Sequence, residues 1–179
     1  QSLFWLNSQK IIFSNTQSTS DSLRMFQIDV KSEQRKPLFA PEKARLRWVY
    51  PIVENNGSLL VGMNKRDSTL FDLYKIYLDG RQPQLVDQNP GSVMSWIGSP
   101  DGEVRMALTS DSVQESILYR KGNGLPFKEV TKNDFETIFV PLGFVKGSDK
   151  NIFALSNQNR DKMALVEYDV ENGKQLRHI

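Results

Sequence analysis

The chain has 179 residues, with 23 Lys plus Arg against 21 Asp plus Glu, a net charge of +2, one histidine and no cysteine. That length suits a single domain with a real core, and 39% hydrophobic with 25% charged residues is the composition of an ordinary globular chain. The lack of cysteine excludes disulfides, thiolate metal sites and cysteine nucleophiles, and the lone His178 excludes a multi-histidine metal centre.

From the amino terminus, Gln1 falls inside a strand-like run without an initiator methionine, so a preceding segment is expected. This end leaves the compartment open, cytoplasmic or periplasmic and secreted. Trp5 precedes the alternating run Lys10 to Asn15 (KIIFSN), and a second run follows at Leu23 to Val30 (LRMFQIDV). Arg35, Lys36, Lys43, Arg45 and Arg47 form the densest basic stretch, broken by Pro37, Pro41 and Glu42. It reads as a solvated loop and strand edge rather than a phosphate track, and no nucleic-acid partner is expected. Trp48 then precedes Ser58 to Asn64 (SLLVGMN), and Leu73 to Gly80 (LYKIYLDG) follows.

The third stretch is the cleanest, with strands expected at Ser92 to Ile97, Val104 to Thr109, Ser116 to Arg120 and Phe127 to Val130. Pro100-Asp101-Gly102 and Gly122-Asn123-Gly124 supply the turns, as Asn55-Asn56-Gly57 and Asp79-Gly80 do before them and Gly147-Ser148-Asp149 and Asn172-Gly173 after. The last strands expected are Asn151 to Asn157 (NIFALSN) and the run from Ala164 to Gly173. The longest uncharged apolar stretch, Thr137 to Val145, is far shorter than the ~20 residues a membrane-spanning helix needs.

These elements repeat. Phe26, Tyr74, Tyr119 and Val166 are spaced by 48, 45 and 47 residues, and Trp5, Trp48, Trp96 and Phe144 by 43, 48 and 48. Two rulers with one period imply four copies of one unit. Four short antiparallel strands per ~45 residues are the signature of a propeller blade. The expected fold is an all-β β-propeller of about four four-stranded antiparallel blades, near 1–42, 43–90, 91–135 and 136–179, with few or no helices. Four such blades can close a small ring or form an arc of a larger propeller, and the arc is the reading expected here. An open arc exposes apolar blade flanks and sheet edges, so self-association through them is expected. The aromatics Trp5, Trp48 and Trp96 read as core, filling the space between neighbouring blades.

No catalytic centre is encoded. The nucleophile elbow G-x-S-x-G is absent, and Gly57-Ser58, Gly98-Ser99 and Gly147-Ser148 read as turns. His178 has no serine partner nearby and reads as an exposed edge residue. The glycines and lysine of Gly143 to Ser148 are wrongly spaced for a phosphate loop, and Asp101-Gly102-Glu103 is too short for a calcium loop. No cofactor and no metal are expected. One polar feature recurs: Asn64-Lys65-Arg66-Asp67 and Asn157-Gln158-Asn159-Arg160-Asp161 both follow a second strand, with Arg66 and Arg160 two periods apart. The functional reading makes Arg66, Asp67, Arg160 and Asp161 a docking or substrate-facing rim. The structural reading has Asp hold loop amides while Arg lies across an aromatic.

From Leu60 to Gly173 the chain resembles the propeller of the prolyl oligopeptidase family of serine peptidases, in the dipeptidyl aminopeptidase and acylaminoacyl-peptidase branch. The phrases that carry this are Asn64-Lys65-Arg66-Asp67, Asp72-Leu73-Tyr74, Asn89-Pro90-Gly91, Asp101 to Arg105, and Ser156 to Asp161 running into Ala164-Leu165. The resemblance implies a parent with an amino-terminal propeller of seven or eight blades, of which these four would be an arc, and a carboxy-terminal α/β-hydrolase domain that holds the Ser-Asp-His triad. The propeller would restrict access of peptide substrates, and the partners implied are the remaining blades and the hydrolase domain. Some branches hold the substrate amino terminus with paired glutamates in the propeller. No adjacent Glu-Glu occurs here, so that role goes to no residue. The alternative is a free-standing binding or scaffold module, TolB-like or a four-bladed hemopexin-like ring, the latter generally disulfide-closed and so disfavoured here. A metal-dependent lactonase-type propeller would need convergent carboxylates and usually histidines.

Overall fold

The computed structural model describes residues 2–17, 20–39, 44–52, 56–134 and 136–179, and among them there is no helix long and apolar enough to cross a membrane. The chain forms two compact units, Gln1–Asn89 and Pro90–Ile179. Each holds two four-stranded sheets in which every strand pairs antiparallel with its neighbour in sequence.

In the first unit, sheet one is β1 (Ser2–Trp5), β2 (Lys10–Gln17), β3 (Ser20–Asp29) and β4 (Arg35–Phe39). Sheet two is β5 (Leu46–Trp48), β6 (Ser58–Met63), β7 (Asp72–Tyr77) and β8 (Gln84–Asp87). In the second unit, sheet three is β9 (Val93–Gly98), β10 (Val104–Ser110), β11 (Glu115–Tyr119) and β12 (Lys128–Asn133). Sheet four is β13 (Phe139–Phe144), β14 (Asn151–Ser156), β15 (Ala164–Asp169) and β16 (Lys174–His178). The repeat read from the aromatic spacing is thus four blades of one plan, all-β and of the β-propeller class, with no helix among the described residues.

Period-two alternation makes the strands and decides their faces. In β14, Ile152, Ala154 and Ser156 are buried, while Asn151, Phe153 and Leu155 turn to the other face. In β2 and β3 the pairs Phe13–Phe26 and Ile11–Ile28 lie on one face, and Ile12 with Met25 goes to the core. Turn chemistry sits where the sequence puts it. Gly102, at φ 78°, donates its N–H to Ser99 O at 2.9 Å, closing the β9–β10 hairpin, and Gly124 adopts φ 80° between β11 and β12. Side chains with Cβ rarely accept such angles. Of the predicted turn at 55–57, Asn55 lies outside the described residues.

Each unit has its own core. Sheets one and two enclose Ile12, Met25, Leu59, Val61, Met63 and Ile76. Sheets three and four enclose Met106, Ile117, Phe139, Ile152, Val166 and Tyr168, with Phe139 and Tyr168 edge-to-face at 4.8 Å. Burying each such aliphatic side chain stabilises by roughly 1.5–3 kcal/mol.

The core reading of the tryptophans needs correction at one position. Trp96 is buried at 6% exposure, and Trp48 is half-buried with its ring 4.9 Å from that of Phe4. Trp5 is 58% exposed. It points to the face of sheet one turned away from sheet two, paired across the strands with Ile11 and Ile28, and no described element of its unit covers it. In the basic stretch, Arg35 and Lys36 are exposed on β4 and Arg47 lies 3.9 Å over the Phe71 ring; Pro41, Glu42 and Lys43 lie outside the described residues.

Candidate functional site

The two Arg-Asp loops connect the second and third strands of their own sheets. In the first, at 64–71, Asn64 directly follows β6 and is buried. Its side-chain oxygen accepts the Arg45 N–H at 2.5 Å and its amide donates to Ser68 O at 2.7 Å, tying the loop to the segment before β5. Arg66 then reaches the first residue of β7. Its Nε and Nη2 donate to the two oxygens of Asp72 at 2.9 and 2.8 Å, and Nη2 also reaches Asn89 O at 3.1 Å. Asp72 has no solvent exposure and takes a further bond from the Asn89 N–H at 2.7 Å. A buried carboxylate is tolerable only when paired and hydrogen-bonded, and Arg66 supplies that pairing in forked geometry. Its bonds to Asp72 raise the Arg66 pKa. Asp67 accepts the Thr69 hydroxyl at 2.6 Å and the Thr69 N–H at 2.8 Å, and these bonds hold its carboxyl below the usual range.

In the second loop, 157–163, Asn157 repeats the part of Asn64. Its oxygen accepts the Ile138 N–H at 2.7 Å and its amide donates to Glu136 O at 2.9 Å. Each Asn reaches a backbone N–H nineteen residues earlier. Arg160 differs from Arg66. Its Nε donates to Gln158 O at 3.2 Å, Nη2 to Gln175 Oε1, and Nη1 meets His178 Nδ1 at 3.1 Å. Asp161 is exposed and has no polar partner among the described residues.

Of the four predicted rim residues, Asp67 therefore does hold loop amides, whereas neither arginine lies across an aromatic: Arg66 pairs with Asp72, and Arg160 binds β16. The sequence signal overlooked was Asp72 itself, six residues after Arg66, and the β16 side chains of Gln175 and His178. His178 is an exposed edge residue, as read, but it is engaged by Arg160. The glycine-serine pairs are turn chemistry where the turns are seen. Ser148 Oγ accepts the Asn151 N–H at 2.8 Å, and Ser99 Oγ lies against Asp101 and, at 3.1 Å, Glu103 O.

Two further polar features lie in the second unit. Arg105, only 8% exposed, donates through Nη2 to Asp101 at 2.6 Å, and Glu103 is 3.3 Å away. Burial pushes the Asp101 carboxyl up, but bonds from Ser99 and Arg105 outweigh it and leave the group below its ordinary value. An open groove of about 330 Å³ runs beside Tyr119, Leu125 and Val130, rimmed by the Lys121–Glu171 ion pair at 2.5 Å. Burial pushes the Tyr119 phenol up to about 12, and its hydroxyl donates to Asp149 O at 3.3 Å. These polar groups hold the turns and loops of their own sheets.

No family model matches the chain. Dipeptidyl aminopeptidase BIII of Pseudoxanthomonas mexicana is 24% identical over 178 residues, 97% of this chain but 26% of that protein. Among solved structures, one from a study of two prolyl endopeptidases has a TM-score of 0.63 at 13% identity, over 93% of this chain and 26% of that one. TolB from Acinetobacter baumannii has a TM-score of 0.55 at 8% identity, over 93% of this chain and 39% of that one. The structural likenesses show the fold. The resemblance to the propeller portion of prolyl oligopeptidase-family peptidases holds over nearly the whole chain, including the first blade. The chain spans about a quarter of the length of that curated relative.

Proposed function

We propose that this chain is part of the non-catalytic propeller of a serine peptidase of the prolyl oligopeptidase family, gating the access of peptides to an α/β-hydrolase domain. The observation that carries the reading is the alignment of 97% of the chain with part of a dipeptidyl aminopeptidase. The site chemistry agrees with a scaffold role, since the described arginines and aspartates of the loops mostly spend their hydrogen bonds inside their own sheets. In the parent, the loop carrying Arg66 and Asp67 and the loop carrying Arg160 and Asp161 would each offer a docking surface on its own unit: the internal clamps give each loop a fixed shape, while the exposed Lys65 and Asp161 are left for a neighbour.

The purified 179-residue chain should hydrolyse neither aminoacyl- nor prolyl-nitroanilides, and turnover that follows it through purification would overturn the reading. Extending the reading frame should reveal a hydrolase-length segment with G-x-S-x-G. The likeness to TolB favours the second reading, a free-standing binding module. A stop codon soon after Ile179, with no hydrolase segment, would decide for it.

A further inference from the structure

Asn-Gly occurs at 56–57, 123–124 and 172–173, each time in a connection between two strands. The step carries a chemistry of its own. Glycine has no Cβ to shield its backbone nitrogen, so that nitrogen can reach the side-chain carbonyl carbon of the asparagine before it. By sequence the three steps are alike, and the fold separates them.

Asn123 and Asn172 are held. Oδ1 of Asn123 accepts bonds from the Val104 N–H at 3.2 Å and from Arg120 Nη2 at 3.0 Å. Asn172 donates its side-chain amide to Asp169 Oδ2 at 2.9 Å and its backbone N–H to Asp169 Oδ1 at 3.0 Å. Space is short there as well, since a Cβ built on Gly173 comes 3.2 Å from Val130 O. Asn56 is different. It is exposed, and its side chain bonds to nothing among the described residues. Gly57 is anchored through its carbonyl, which accepts the Leu78 N–H at 2.8 Å, while its own N–H has no partner among the described residues. A Cβ built on Gly57 meets no atom within 4 Å, so the place is open to water. Asn56 also stands at φ 50°, a left-handed angle that a side chain occupies at a cost, so leaving that geometry releases strain.

We infer that Asn56 is a site of spontaneous deamidation, and that the fold protects Asn123 and Asn172 from the same reaction. The Gly57 nitrogen gives its proton to solvent base and attacks Cγ of Asn56. The Cγ–Nδ2 bond breaks and ammonia leaves, closing a cyclic imide. Water then opens the imide at either carbonyl, to aspartate or isoaspartate. In balance, one amide and one water become one carboxylic acid and one ammonia, and ionisation of the acid takes the net charge of the chain from +2 to 2 − 1 = +1. The new charge stands at the entry to β6. This does not rest on the peptidase reading.

Peptide mapping by mass spectrometry of the 179-residue chain, aged in mildly alkaline buffer, tests it. Asn56 should convert more than about ten-fold faster than Asn123 and Asn172, each of which must first break two hydrogen bonds. Fragmentation should find both aspartate and isoaspartate at that position. In urea the three rates should converge, because the unfolded steps are chemically alike. Asn56→Gln alters an exposed position, so circular dichroism should keep its strand spectrum. The variant should lose the early acidic band in isoelectric focusing, since the larger ring of a glutamine imide closes far more slowly. Failure of Asn56 to convert ahead of the other two, a lead that persists unchanged in urea, or an early acidic band that survives Asn56→Gln would each overturn the proposal.

Discussion

The loops at 64–71 and 157–163 carry one repeated phrase and end differently. Both begin with an asparagine that bridges the end of a second strand to the segment before the first, through bonds of the same sequence reach. Past the asparagine they part. Arg66 pairs with the fully buried Asp72, whereas Arg160 meets no carboxylate and bonds instead to Gln158 O, Gln175 and His178. A repeat therefore conserves its backbone-bridging part, while the guanidinium is free to satisfy whatever its own blade has buried. The first loop is an ionic clamp with a desolvated anion at its centre. The second is a web of guanidinium bonds without a carboxylate, near the surface.

That difference orders the expected effects of substitution. The largest should come from Asp72→Ala, which removes the buried carboxylate that the Arg66 fork and the Asn89 N–H both bond, and should cost roughly 3 kcal/mol by urea denaturation. No carboxylate stands in the corresponding place of the second loop, so a comparable loss there would break the comparison. Next are Asn64→Ala and Asn157→Ala. Each deletes two bonds to backbone and should cost about 1–3 kcal/mol, the more for Asn64, whose side chain is buried. Equal costs would show that burial matters less than the shared geometry.

Smaller effects separate the arginines. Arg66→Ala should destabilise more than Arg160→Ala, because it strands a buried charge; Arg160→Ala should stay within about 1 kcal/mol. If the two fell together, the ionic character of the first loop would be without weight. Asp161→Ala, at an exposed position, should change stability by no more than about 0.5 kcal/mol.

Acid tests the first loop independently. The Thr69 bonds lower the pKa of Asp67, so its stabilising effect is whole above the ordinary carboxylate value of about 3.9 and fades as pH falls through its lower folded value. Asp101 behaves alike in the second unit. Asp67→Asn should flatten the acid limb of stability against pH in that window, read from thermal melts at successive pH values. An unchanged limb would remove Asp67 from the account.

Much of this was legible from residue order. The spacing of Trp5, Trp48, Trp96 and Phe144 marked four copies, and the strands of sheet three fall within a residue or two of where alternation and Gly-Asn turns placed them, β12 excepted, which runs on to Asn133. The roles of the arginines were not legible. Nothing local distinguishes an arginine that pairs with a buried aspartate from one that stacks on a ring, because the partner is chosen by strand register. Asp72 looks like any strand-opening aspartate until its neighbours close over it. Trp5 was misread for a related reason. The ruler identifies a position in a blade, but burial at that position is a property of the next sheet.

Alternation, turn residues and a period of about 47 residues determined by themselves that this polypeptide makes four antiparallel sheets, since backbone pleat and hairpin geometry are local constraints. Which face of each sheet is dry, which carboxylate loses its water and which hollow stays open were decided only in three dimensions. Desolvation depends on what is brought near, and distance along the chain does not record it.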